Sequence, residues 1–126
     1  AAEIDMAGVQ TPVVMLPRYS CYSGADDFLT IAMDVTAYVK ATLNTWRSPL
    51  VGTTPTFAIA FEESTDQVGW TACAVTGTPF PDPGADNETQ YTITLTKRWF
   101  RVKVTLGGTG PVATCWCVGF FEERES

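Results

Sequence analysis

The sequence predicts an all-β protein, a two-sheet antiparallel β-sandwich of about seven or eight strands with a jelly-roll or immunoglobulin-like layout. Three observations predict it. Apolar and polar residues alternate with period two along most of the chain, clusters of turn-forming residues separate the alternating runs, and no apolar stripe recurs at the 3.6-residue spacing of a helix.

Residues 1–12 show neither turn chemistry nor sustained alternation and read as an N-terminal arm, which leaves 13–126 as a single domain. A short strand is expected at 13–16. From Leu29 onward, Leu29, Ile31, Met33 and Val35 alternate with Thr30, Ala32, Asp34 and Thr36, the pattern of a strand with its apolar set turned to a core. In the stretch 38–51, Val39, Leu43 and Trp46 fit either another strand or a short helix, and the segment is treated as an excursion from the sandwich. After the breaker run Gly52-Thr53-Thr54-Pro55, Phe57, Ile59 and Phe61 are expected inward, against Thr56, Ala58, Ala60 and Glu62. A turn at 63–66 leads to a short strand at 70–75, opened by Trp70 with its ring on the core. A second excursion, 77–87, is rich in proline and holds Phe80 between Pro79 and Pro81. Alternation resumes at Tyr91, Ile93 and Leu95. After a turn at Lys97-Arg98, it resumes at Phe100, Val102, Val104 and Leu106, with Trp99, Arg101, Lys103 and Thr105 outward. A turn at 107–111 precedes the last strand, 113–121.

That last strand is apolar on both faces, with Cys115, Cys117 and Phe121 on one and Trp116, Val118 and Phe120 on the other. A half-solvated strand should not look like this. Its outer face is therefore expected to lie under the 38–51 excursion, the N-terminal arm or another subunit, and the last option points to a homo-oligomer.

Composition narrows the function. The 126 residues are 45% hydrophobic and 17% charged, with eight Lys and Arg against fourteen Asp and Glu and a net charge of −6. Such a balance excludes a general nucleic-acid binder, which needs clustered cations. No apolar run reaches the roughly 18 residues of a membrane span. The start, Ala1-Ala2-Glu3-Ile4-Asp5, has no signal-peptide pattern and fits initiator-Met removal in a cytoplasmic protein, although a trimmed secreted chain would look the same.

No histidine is present, which removes the commonest general base and transition-metal ligand together. Cys21, Cys73, Cys115 and Cys117 match no zinc or redox spacing and read as buried thiols. The adjacent acids Asp26-Asp27, Glu62-Glu63 and Glu122-Glu123 read as solvated charges, and both glutamate pairs point to opposite faces of their strands and not toward one another as acid and nucleophile. Asp66, Asp82 and Asp86 lack the spacing of a calcium loop. No catalytic, cofactor or metal site is assigned, so the expectation is a non-enzymatic protein without cofactor. Stiffly held or outward aromatics are the candidate partner contacts: Trp46, Phe80 and Trp99.

The order of segments resembles the small β-sandwich virion proteins of tailed bacteriophages, the capsid decoration (cement) and tail accessory proteins. The resemblance is carried by Met33-Asp34-Val35-Thr36-Ala37, by Gly52 to Phe57 leading into Glu62-Glu63-Ser64-Thr65-Asp66 and Gly69-Trp70, and by Trp99-Phe100-Arg101-Val102-Lys103-Val104 with Gly107-Gly108-Thr109. It spans residues 28–121 in outline and departs from the family pattern at 38–51 and in the proline-rich loop. The resemblance implies a structural role on the virion surface, assembly in the host cytoplasm, the major capsid protein as partner, and trimers or dimers. A carbohydrate- or receptor-binding module on a tail or secreted protein is the rival expectation, resting on Trp46 or Trp99 beside carboxylates. A small hydrolase using acids from distant loops is the third.

Overall fold

The computed structural model of the chain describes residues 10–77 and 87–123. Their organising element is β9 (Trp99–Glu123), a strand of 25 residues. On one flank, β1 (Gln10–Ser23), β2 (Asp26–Leu29) and β3 (Met33–Asp34) follow β9 antiparallel from Gln10↔Glu122 to Asp34↔Trp99. On the other flank, β4 (Tyr38–Arg47) and β5 (Val51–Ser64) do the same from Tyr38↔Glu123 to Ser64↔Trp99. Three runs of chain thus lie side by side as one long ribbon with β9 in the middle.

Drawn straight, a strand of that length would span about 80 Å. It is instead folded back on itself. Val35 N–H bonds to Arg98 O while Tyr38, three residues on, pairs with Glu123, so the two ends of β9 lie close together. The fold occurs at 107–111, where the β5 register shifts twice. Gly108 has φ 101°, and a Cβ there would sit 2.8 Å from Thr53 O and 3.0 Å from Pro55 Cα. Only glycine combines that dihedral with so close a neighbouring strand. The 107–111 segment therefore bends a continuous strand and does not form the turn expected between two strands.

Short strands complete the wall. β8 (Asn87–Thr94) pairs with β4, β7 (Ala74–Thr76) with β8, and β6 (Thr71–Ala72) with β5. Only Cys73 lies between β6 and β7, with its N–H on Phe61 O, so the chain steps from one half of the ribbon to the other in a single residue. That step closes one side. The result is all-β, as expected, but the nine strands form one hydrogen-bonded sheet rolled into a nearly closed barrel, not two separate sheets.

The core is where the two halves of the ribbon face each other. Phe100, Phe61 and Phe121 meet there, with Phe100 edge-on to Phe121 at 6.0 Å and parallel to Phe61 at 6.3 Å between centroids. Leu43, Ile93, Val102, Val104 and Leu106 are buried around them.

Three boundaries are corrected. Residues 38–47 are not an excursion but the central strand β4, whose inward residues are Ala41, Leu43, Thr45 and Arg47. A small, a hydroxylic and a cationic side chain on the buried face conceal the alternation. Gln10, Thr11 and Pro12 belong to β1 and not to an arm, and Pro12 is tolerated because β1 is an edge strand. Asn87 opens β8, while 78–86, and with them Phe80, lie outside the described residues, as do 1–9.

Glu63 is buried rather than solvated, and its carboxylate accepts from Thr96 N–H and Oγ1, each at 2.9 Å. All four cysteines are free. Burial, then the carboxylates of Glu63 and Glu62, push the Cys73 thiol up to about 12. Burial, then Cys21, does the same to Cys115, and burial raises Cys117 further. The native protein is expected to react with an aromatic disulfide reagent near pH 8 at exposed Cys21 alone, and at all four thiols after denaturation. Native reaction of two or more thiols would show that the barrel opens readily.

Candidate contact surface

Two surface features arise from the same irregular stretch of β1. Its register against β9 shifts on both sides of Leu16, so Pro17, Arg18 and Tyr19 bulge out between Leu16↔Cys117 and Ser20↔Cys115. Proline has no N–H for the ladder, which makes the bulge legible in retrospect from Leu16-Pro17. Ser20 Oγ donates to Pro17 O at 2.7 Å, and Tyr19 adopts φ 65°, left-handed backbone that a tyrosine rarely takes.

The bulge covers the outer face of β9. Arg18 sets its guanidinium 4.8 Å from the Trp116 ring centroid. Trp46 lies directly across the β4–β9 ladder from Trp116, with the rings stacked at 6.4 Å, and Tyr19 meets Trp46 edge-on at 5.9 Å. The doubly apolar last strand is thus covered at Trp116 by its own chain, from the 38–47 segment and from β1. Sequence reasoning singled out Trp46 but not Arg18, Tyr19 or Trp116 as its neighbours. Tyr19 remains 70% exposed.

Trp99 lies elsewhere, at the start of β9 opposite Asp34 and Ser64, half-buried under the Arg98 guanidinium at 4.9 Å. Arg98 also pairs with Asp34 at 3.2 Å, and the Thr36 hydrogen bonds, then Arg98, hold the Asp34 carboxyl below the usual carboxylate range. Trp70 is not on the core. It is half-buried on the surface, with Arg101 stacked over its ring at 4.0 Å, and Arg101 in turn bonds Glu62 at 2.9 Å. Lys103 reaches the other Glu62 oxygen at 3.5 Å. Asp66 accepts from Val68 N–H and Gly69 N–H and so closes the 64–69 loop, which lowers its pKa. These acids all have structural partners. Among the described residues no group of three or more His, Cys, Asp or Glu side chains could hold a metal, and no helix is long and apolar enough to cross a membrane.

The second feature is a seam. Opposite the side closed at Cys73, β1 and the β2–β3 stretch each pair with β9 and with no other described strand. Between them opens a cavity of about 390 Å³, lined chiefly by Val14, Leu16, Tyr22, Leu29, Ile31 and Met33. Burial, then Cys115, raises the Tyr22 hydroxyl, so it stays neutral in the seam. None of the nine lining residues is charged.

No protein-family model, curated protein or solved structure matches the chain. The geometry therefore stands alone.

At the seam the predicted facing of the 29–35 run fails at its start, while Val35 is buried and Met33 packs against the core as predicted. Leu29 and Ile31 were expected inward, yet they are 51% and 89% exposed, while Phe28 turns in and packs its ring at 4.8 Å from that of Tyr22. At Thr30 the link to β9 is half side chain: Thr30 N–H donates to Val102 O at 3.0 Å, while Val102 N–H donates to Thr30 Oγ1 at 2.9 Å in place of a backbone carbonyl. With Val14 60% exposed on the facing edge, the seam carries an apolar rim. An uncharged cavity with such a rim can bury apolar groups and add backbone hydrogen bonds at two strand edges. Its lining has no charged side chain, and its side-chain hydroxyls are those of Tyr22 and Thr30.

Proposed function

We propose that the chain is an assembly protein, a bacteriophage capsid decoration (cement) protein that binds the outer surface of the assembled head and reinforces it by bridging capsomers. The observation that carries the assembly reading is the exposed apolar alternation of Leu29 and Ile31 at the seam. A strand patterned for burial but left in water is a surface patterned for a partner. The resemblance of residues 28–121 to small phage virion proteins supports the kind of assembly, with the major capsid protein as partner and a dimer or trimer as the docking unit. In this reading the two halves of the bent ribbon serve as the two layers of a jelly-roll-like sandwich, a stiff body that needs no conformational chemistry. Each contact of standard size buries about 1,200–2,000 Å², and repetition by shell symmetry multiplies a modest affinity into a large stabilisation.

A carbohydrate- or receptor-binding module of a tail or secreted protein is the second reading, favoured by exposed Tyr19 beside Trp46. Against it, guanidinium groups lie over Trp116, Trp99 and Trp70, where a sugar ring would stack.

Quantitative mass spectrometry of purified phage particles from the source tests the proposal. Copies near one per major capsid protein, or a simple fraction of that, are expected. A few copies per particle would move the protein to the tail and favour the second reading, and absence from particles would overturn the virion assignment.

A further inference from the structure

We infer that the seam is a self-complementary interface and that its occupant is the seam of a second copy of this chain, related by a two-fold axis. This deepens the assembly reading by assigning the copy-to-copy contact, which leaves the Tyr19–Trp46 patch for the shell.

The first argument is shape. An isologous contact needs a knob and a hole on one surface, so that each copy supplies both. Ile31 projects from the seam rim at 89% exposure, and the seam holds a cavity of about 390 Å³ walled by Leu16, Tyr22 and Met33.

The second argument is charge. Two chains that each carry −6 repel one another wherever acidic surfaces meet. The seam lining is uncharged, so a contact made there brings no like charges together. A two-fold axis through the seam sets the β1 edge of one copy against the 26–34 edge of the other.

The third argument is the backbone. Both edges lack a ladder partner among the described residues, and an edge strand of this kind pairs with whatever strand reaches it. The weak point of the barrel and the binding surface are the same place.

The experiment is sedimentation of the purified chain from nanomolar to millimolar concentration, alone and as variants, with near-ultraviolet circular dichroism reporting the fold. The wild type is expected to form a dimer and no larger species. Ile31→Glu, an exposed change in the free chain, is expected to raise the dimer dissociation constant at least about 100-fold with the spectrum unchanged, because each dimer loses the contact twice. Val68→Glu, at a valine 83% exposed and outside the seam lining, is expected to change nothing. A wild type that stays monomeric throughout, that forms trimers or open-ended oligomers, or that dimerises unchanged as Ile31→Glu would overturn the inference. Failure here is separable from failure of the capsid reading: a monomer in solution that still appears in particles sinks the two-fold seam alone, and a seam dimer absent from particles sinks the shell assignment alone.

Discussion

Phe100→Ala is expected to destabilise the fold by about 3–5 kcal/mol, the range for deleting a buried phenylalanine. Phe100 is fully buried and stands where the two ends of β9 come back together, edge-on to Phe121 and parallel to Phe61. The ring therefore does more than fill space. It is the contact across which one half of the ribbon recognises the other, and the three-residue link from Val35 to Tyr38 depends on that closure. Urea unfolding followed by tryptophan fluorescence checks it. A fall in midpoint with unchanged slope is the expected form, because the cavity weakens a cooperative core without changing the surface exposed. A cost below about 1 kcal/mol would mean that the ladder and the bend at 107–111 hold the barrel shut without the aromatic contact.

The all-β class was legible because alternation at Phe57–Phe61, Tyr91–Leu95 and Phe100–Leu106 records a real division between core and water, and Phe61, Tyr91, Ile93, Phe100, Val102, Val104 and Leu106 are all buried. What alternation does not record is which halves of the chain are one strand. Gly107 to Pro111 carries the composition of a turn, but at φ values open to glycine the same residues can bend a strand without ending it. The division into two sheets failed on that point. β4 was missed for the opposite reason: a strand at the centre of a sheet can bury polar side chains, and here Thr45 Oγ1 donates to Thr89 O at 3.2 Å while the Arg47 guanidinium donates to Ser48 O at 3.1 Å and lies over the Phe57 ring. At 29–31 the pattern was read correctly and its consequence was not, because period two identifies two faces without saying which is inside the chain's own core. Trp46 was singled out as a candidate contact, but its setting beside Trp116 and Tyr19 was not legible, since it depends on a strand pairing and a bulge that no local pattern encodes.

Gly119→Ala tests that central pairing, and it is expected to cost about 3 kcal/mol or more, beyond the usual overpacking penalty. Gly119 sits in β9 opposite Leu43 of β4 and Val13 of β1. A Cβ there would fall inside contact distance of the Thr42 carbonyl oxygen, 2.9 Å from Leu43 Cα and 3.0 Å from Thr42 C. All three atoms are backbone, so no side chain can turn aside to make room. Relief requires β4 to move away from β9, and that movement also parts the Trp46–Trp116 stack three residues along. The variant should therefore lose near-ultraviolet dichroism along with stability. Gly69→Ala is the matched control, since a Cβ at Gly69 meets nothing within 4 Å, and it is expected to shift stability by no more than about 0.5 kcal/mol. If alanine at 119 proved as harmless as alanine at 69, residues 38–47 would not lie against β9 as a strand, and the reading of that segment as an excursion would return.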